Sequence, residues 1–249
     1  MSIFISIASY QDPLLASTIK SACMKASAEQ DLVFGVCDQS SSPIDASSLS
    51  KKAKIHYEHI DPILSKGPCW ARNRLQSFYQ GEDYFLQIDS HTQFDKNWDV
   101  ILMGQLRSLQ GLSSEPYFSK PIITAYPRSF EVISIKDEEF KLNSTDDLVY
   151  SIAYRRDSIF MKDLFSRQIG RPLKTKDPVH GFLLAAGCLF TEGNFVTEVP
   201  YDPNYYFYGE EISLMLRAFT RGYSIFHTPN IPIYHLYNND PSTSGRKLH

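Results

Sequence analysis

The sequence predicts an α/β fold, with a mostly parallel central sheet covered by helices on both faces. Three observations carry this reading. Short apolar runs at 3–8, 32–36, 54–60 and 84–88 have the length and alternation of strands. Longer segments with helical signals lie between them, at 13–28, 69–79 and 98–109. Polar side chains follow the strands, among them Ser9, Asp38 and Asp89. Alternating strands and helices favour parallel pairing, and such sheets bind ligands beyond the carboxyl ends of their strands.

Taken in order, the first strand gives way to a polar loop, Ser9-Tyr10-Gln11-Asp12-Pro13. Asp12 is suited to cap the next helix, with Pro13 at its first position. That helix turns Leu14, Ile19, Cys23 and Ala26 to one face. The second strand ends at Cys37-Asp38-Gln39, and the third spans 54–60 after a polar loop. Gly67-Pro68 opens a helix that carries Arg72 and Arg74. The central strand follows, Tyr-Phe-Leu-Gln-Ile from 84 to 88, and stops at Asp89-Ser90-His91, because Asp and His are poor strand formers.

The middle segment, 113–176, reads as a variable insert. Residues 122–125 and 149–154 have strand character, and 131–147 is charged and expected to be exposed. Residues 162–181, basic and with two prolines, suit either a solvated loop or a lid facing an acceptor. Small residues Ala185, Ala186 and Gly187 let a ligand or another backbone approach closely. Gly209-Glu210-Glu211 leads into a helix at 212–221, and short strands follow at 223–227 and 231–235. One domain over 1–240 with a flexible tail at 241–249 accounts for the chain.

A chain of 249 residues buries a substantial core as one large domain. With 25 basic and 28 acidic residues the net charge is −3, and no basic run points to nucleic acid. No apolar stretch reaches membrane-spanning length, and the first ten residues read as a strand rather than a signal peptide. Cys23, Cys37, Cys69 and Cys188 are widely spaced, so neither a structural zinc site nor a disulfide framework is indicated. A reducing, cytoplasmic setting is expected.

Asp89 and His91 leave their strand on one side, with Ser90 turned away. A carboxylate and an imidazole converging at a sheet edge form half of a divalent-metal site, although a turn after a core strand uses the same residues. His235, closing a late strand, is the candidate third ligand, and His227 is the runner-up. Mixed nitrogen and oxygen ligation suits Mn2+ better than Mg2+, which remains an alternative. Arg72 and Arg74 are two residues apart on a helix and cannot both face the sheet edge. One of them suits a diphosphate; Asp38 suits either a uracil N–H or a turn. Glu210 and Glu211 fit a helix N-terminus and also fit binding of sugar hydroxyls or placement of an attacking one. One or two of Tyr205, Tyr206, Phe207 and Tyr208 are expected to line such a site.

Ordered motifs extend this reading: Ile-Ala-Ser-Tyr-Gln-Asp-Pro (7–13), Phe-Gly-Val-Cys-Asp-Gln (34–39), Gly-Pro-Cys-Trp-Ala-Arg (67–72) and Tyr-Phe-Leu-Gln-Ile-Asp-Ser-His (84–91). Val-Pro-Tyr-Asp-Pro (199–203), Tyr-Gly-Glu-Glu-Ile-Ser (208–213) and Tyr-His-Leu-Tyr (234–237) follow. Over residues 3–240 the chain resembles the glycosyltransferase family typified by the cytoplasmic hydroxyproline N-acetylglucosaminyltransferases. The resemblance implies a GT-A fold, a UDP-N-acetylglucosamine donor, a hydroxyl acceptor on protein or glycan, a divalent metal and retention of configuration. It implies Asp89, His91 and His235 as metal ligands and Ser9, Gln11, Asp38, Arg72, Asp89 and Gly187 around the donor. Glu210 and Glu211 match its Gly-Glu-Glu motif near the transferred sugar. After His235 the chain reads Leu-Tyr-Asn-Asn, where a basic residue is expected by the fourth position. Residues 113–176 carry no family motif, so hydroxyproline is not carried over as acceptor. The rivals are an inverting transferase with Glu210 or Glu211 as base, a non-catalytic sugar-nucleotide or carbohydrate-binding module, and a metal-dependent hydrolase.

Overall fold

Strand β1 (Ser2–Tyr10) runs through the centre of the molecule with both faces buried. Its side chains alternate between two apolar layers, which fixes where the helices must pack. In the computed structural model, residues 1–112, 120–143, 148–155 and 168–238 are described. After β1 come α1 (Leu15–Lys25), β2 (Asp31–Gln39), β3 (Lys54–Ile60), α2 (Pro68–Gln76), β4 (Tyr84–Asp89), β5 (Thr92–Phe94) and α3 (Trp98–Leu112). The middle of the chain holds β6 (Lys120–Thr124), β7 (Arg128–Ser134), β8 (Glu139–Leu142), β9 (Val149–Tyr154), β10 (Gln168–Leu173) and β11 (Val179–Gly181). The last elements are β12 (Cys188–Glu192), α4 (Phe195–Glu198), α5 (Glu210–Phe219), β13 (Tyr223–His227) and β14 (Ile233–His235).

An eight-stranded sheet has the order β11-β13-β6-β12-β4-β1-β2-β3. On one face Ile3, Ile5 and Ile7 pack with Ile19 of α1 and with Trp98, Leu102 and Leu106 of α3. On the other, Phe4 and Phe85 pack with Cys69 of α2, Phe195 of α4 and Leu214 of α5. The α/β class and the two covered faces are therefore as the sequence predicts. The sheet itself is mixed, with four of its seven pairings among the described residues parallel. The run β3-β2-β1-β4 and the pair β6-β13 are parallel. Strand β12 runs antiparallel to both β4 and β6, and β11 antiparallel to β13. The reversal has a local cause: β12 starts at the carboxyl end of β4, pairing Cys188 with Ile88, so it descends where a parallel strand would climb.

Two small sheets, β5-β14-β7-β8 and β9-β10, sit beside the large one. The charged stretch is exposed or half-buried over its described residues, as expected, and also carries most of the hairpin β7-β8, which Phe130 and Phe140 pin by packing with Leu14, Tyr234 and Leu236. Within the segment read as a basic loop or lid, β10 and β11 are strands. Residues 162–167 of that segment and the tail from 239 onward lie outside the described residues, as do 113–119, 144–147 and 156–161. No helix among the described residues is long and apolar enough to cross a membrane.

Candidate active site

The site begins where β4 stops. Thr18 of α1 donates its hydroxyl to Ser90 O at 2.7 Å and accepts from Thr92 N at 2.9 Å, which fixes the turn between β4 and β5. Strand β14 then pairs with β5, setting His235 opposite Thr92, and Leu236 N donates to His91 O at 3.1 Å. Two segments almost 150 residues apart are thereby brought to one point. His235 Nε2 lies 3.1 Å from Asp89 Oδ2, and His91 Nε2 lies 4.0 Å from the same oxygen. One donor atom each from Asp89, His91 and His235 falls within 4.8 Å of the others.

The neighbours orient these donors. His91 Nδ1 is 2.7 Å from Asp12 Oδ2, which assigns the proton to Nδ1 and leaves the Nε2 lone pair facing Asp89. Arg72 Nη2 donates to Asp89 Oδ1 at 2.9 Å, so Oδ2 is the oxygen turned to the histidines. Burial alone would raise the Asp89 carboxyl; the His235 hydrogen bond and the nearby charge of Arg72 outweigh it and hold the carboxyl well below the usual range. Two imidazole nitrogens and a carboxylate, with a carboxylate behind one imidazole, are a mixed nitrogen and oxygen donor set that fits a divalent transition-metal cation such as Mn2+.

Arg72 is 5 % exposed and is spent on carboxylates. Its Nη1 donates to Glu210 Oε1 at 3.1 Å and lies 3.4 Å from the Tyr201 hydroxyl. It is therefore a brace between β4 and α5 as well as a wall of the cleft. Arg74 is on the other side of α2, paired with Glu58, as the two-residue spacing requires. His227 is not part of the cluster. It is fully buried, with Nδ1 3.0 Å from Thr124 O and Nε2 accepting from Ile152 N at 3.4 Å, and burial lowers its pKa.

Helix α5 starts two residues earlier than the sequence suggests, because Gly209 takes a left-handed conformation (φ 84°) and releases Glu210 directly into the first turn. Glu210 is 6 % exposed, and its Oε2 has no hydrogen-bond partner among the described residues. Burial raises its pKa against the pull of Arg72. Glu211 accepts from Ala186 N at 2.8 Å and from Gln168 Nε2 at 2.6 Å. Burial, opposed by the Ala186 N–H and reinforced by Glu210, pushes it up to about 7.

Both glutamates line a cavity of about 310 Å³ together with Arg72, Asp89, Gly187 and His235. Gly187 is there for want of space: a Cβ would stand 2.7 Å from Asp89 Oδ2. Of the aromatic run, Phe207 and Tyr208 reach the cavity, while Tyr205 packs against the core.

Ser9, Gln11 and Asp38 gather at the same edge, further along the sheet. Ser9 closes the core part of β1 rather than lying in a loop, opposite Asp38 in register, while Ala8 lies opposite Asp89. Gln11 follows with φ 45° and accepts from Ser41 Oγ at 3.1 Å. Asp38 is buried and accepts from the Tyr57 hydroxyl at 2.6 Å. Sequence reasoning missed the second task of Asp12, and missed Tyr201, Gln87 and Gln168. Asp12 carries a signal only in hindsight of the topology: a carboxylate one strand away from the Asp-x-His turn. Gln87, inward on β4, donates to Ala186 O at 2.7 Å and to the Tyr201 hydroxyl at 2.8 Å, tying the β12 turn to the sheet.

The α/β fold with its central mixed sheet is that of the GT-A glycosyltransferases, and the Asp89, His91 and His235 cluster lies at the carboxyl edge of that sheet. A family model described as Glycosyltransferase (GlcNAc) matches residues 42–244, and the chain belongs to that family. The fold is similar to that of GalNAc-T7 solved with UDP, GalNAc and Mn2+, with a TM-score of 0.67 at 14% identity over 99% of this chain. This chain spans 46% of that one, a little under half its length. It is also similar to S. aureus TarS residues 1–349, with a TM-score of 0.54 at 10% identity, covering 95% of this chain and 60% of that one. No curated protein matches the sequence.

Proposed function

We propose that the chain transfers N-acetylglucosamine, or a closely related sugar, from a UDP-sugar to a hydroxyl acceptor, using a divalent cation and retaining anomeric configuration. The observation that carries this is the convergence of Asp89, His91 and His235 beside a cleft walled by Arg72, Glu210 and Glu211. GalNAc-T7, whose structure holds UDP, GalNAc and Mn2+, supports the same donor and metal class here. Asp89 Oδ2, His91 Nε2 and His235 Nε2 would hold the cation, which when bound supplies Lewis-acid stabilisation of charge on the departing diphosphate.

The chain's own residues hold and orient. Arg72 fixes Asp89, Asp12 fixes His91, and Gly187 leaves room for the carboxylate. In the retaining reaction the bond from the sugar C1 to the diphosphate oxygen breaks, and a bond from C1 to the acceptor oxygen forms on the same face. The acceptor proton passes to the departing phosphate oxygen, so no side chain need act as nucleophile. An inverting reaction is the second reading, and one observation favours Glu211 as its base: it lines the cavity with a pKa near 7, whereas Glu210 is braced to Arg72.

The test is UDP release across a panel of UDP-sugars, with and without Mn2+, on the wild type and Asp89→Asn. We expect Mn2+-dependent release with UDP-N-acetylglucosamine and loss of at least 100-fold in the variant. Proton NMR of the first product reports an alpha linkage from an alpha donor; a beta linkage moves the assignment to the inverting reading. A protein that binds UDP-sugars but releases no UDP is a binding module, and one that prefers water to every acceptor is a hydrolase.

A further inference from the structure

A second cavity, of about 560 Å³, opens between the small sheets and adjoins the first. Tyr126, Pro127, Gln168 and Tyr237 line both, so an occupant of the second reaches the mouth of the first. We propose that this second cavity is the acceptor subsite, and that the acceptor is an uncharged saccharide rather than a peptide. The proposal rests on the reading of the first cavity as the donor and metal site.

Its lining has the chemistry of carbohydrate recognition. Tyr126, Tyr150 and Tyr237 supply aromatic faces for the apolar faces of sugar rings. Tyr237 is a fixed platform: it is 44% exposed, but its hydroxyl donates to Pro127 O at 2.7 Å and its ring rests 4.4 Å from that of His235. Between the faces stand short polar groups. Asn143 Nδ2 donates to Ser129 Oγ at 2.6 Å, which leaves the amide oxygen and the hydroxyl proton to meet an incoming hydroxyl. At the seam, Gln168 binds Glu211 through Nε2, and its Oε1 has no hydrogen-bond partner among the described residues.

Charge and backbone argue against the other classes of acceptor. No carboxylate or lysine lines this cavity among the described residues, and Arg128 is its one charged side chain. That guanidinium is already committed, 3.3 Å from Asp95 Oδ2, 3.1 Å from the Tyr234 hydroxyl and 3.0 Å from Ile231 O. A peptide strand laid along β10 would meet no N–H at Pro172. Gly170 keeps the space open: a Cβ there would already touch Tyr126 at 3.6 Å and Tyr150 at 3.7 Å, and a longer side chain would fill the gap between the rings.

Saturation-transfer NMR tests this without donor or activity. The probes are methyl β-glucoside, methyl β-galactoside, lactose and N,N′-diacetylchitobiose, with a serine- and hydroxyproline-containing decapeptide beside them. At least one saccharide is expected to receive saturation from tyrosine protons in the wild type, with at least tenfold weaker binding in Gly170→Leu and severalfold weaker binding in Asn143→Ala. Circular dichroism and melting temperature check the fold; if Gly170→Leu does not fold, Asn143→Ala decides. The proposal is overturned if no saccharide binds, if only the peptide binds, or if folded variants bind as the wild type does. UDP and Mn2+ are titrated into the same wild-type sample. UDP binding without saccharide binding removes this inference alone, and saccharide binding without UDP removes the donor reading while leaving a carbohydrate site.

Discussion

Asp12→Asn separates a metal site from a coincidental cluster. Asp12 Oδ1 accepts from Leu14 N at 2.9 Å, while Oδ2 accepts from His91 Nδ1 at 2.7 Å and Ser90 Oγ at 2.9 Å. The amide keeps the first bond and the shape, but presents N–H to a ring nitrogen that now donates. The imidazole resolves the clash by moving its proton to Nε2, the atom that faces Asp89. A cation then competes with that proton for the lone pair. Loss of such an outer carboxylate typically costs 10–100-fold in metal affinity, or about 1.4–2.7 kcal/mol. Free Mn2+ measured by electron paramagnetic resonance gives the dissociation constant, and long-range proton–nitrogen NMR gives the His91 tautomer. A folded variant whose tautomer is unchanged, or whose Mn2+ affinity is within twofold of wild type, refutes the reasoning.

Other consequences follow from the same geometry. Gly187→Ala forces a Cβ to within 2.7 Å of Asp89 Oδ2, so Mn2+ affinity should fall about 10-fold while the fold persists, by the same titration. Glu211, raised from 4.5 to about 7, is protonated in the folded chain where the unfolded chain has already ionised. It therefore removes stability as pH climbs from about 4.5 to 7; Glu211→Gln should match wild type near pH 4 and exceed it by about 3 kcal/mol at pH 8, in denaturant melts without metal. Leu86→Ala, in the buried centre of β4, should cost 2–5 kcal/mol by the same melts. His227→Gln should leave Mn2+ affinity unchanged, since His227 hydrogen-bonds inside the core; a weakened site would reinstate it as a ligand.

The half of the fold from β1 to β4 was legible because β1, β2 and β4 are apolar runs buried on both faces, the edge strand β3 alternates, and the helices between them show their periodicity. The small sheets were not. Glu-Phe-Lys-Leu in β8 and Gln-Ile-Gly-Arg-Pro-Leu in β10 are strands half open to solvent, whose pairing depends on partners elsewhere. The direction of β12 was hidden for a similar reason, since no local signal says which end of a strand meets its neighbour. Asp89 and His91 were readable from their i, i+2 spacing. His235 came from resemblance, and its place depends on β14 pairing with β5. Asp12 was read as the cap of a helix opening at Pro13; the helix instead begins at Leu15 with Leu14 before it, Oδ1 holds Leu14 N in the turn that precedes it, and the other oxygen's work became visible only with His91 beside it.

The two kinds of legibility reflect two kinds of constraint on the molecule. The proposed metal ligands hang from strand ends whose register the core enforces. A one-residue slip of β4 against β1 would turn Leu86 and Ile88 out of their apolar layer and replace Asp89 with a neighbour at the sheet edge. Such a slip costs core burial, so the ligand geometry inherits the stability of the sheet. The second cavity has no such anchor: its walls come from β9, β10 and the approach to β7, in sheets of two and four strands beside the core. Substitutions there change shape without exposing the central sheet. On the function and acceptor site proposed above, such a chain would keep its leaving-group chemistry fixed while a separable part sets the acceptor, and that is why the acceptor is to be sought in the small sheets.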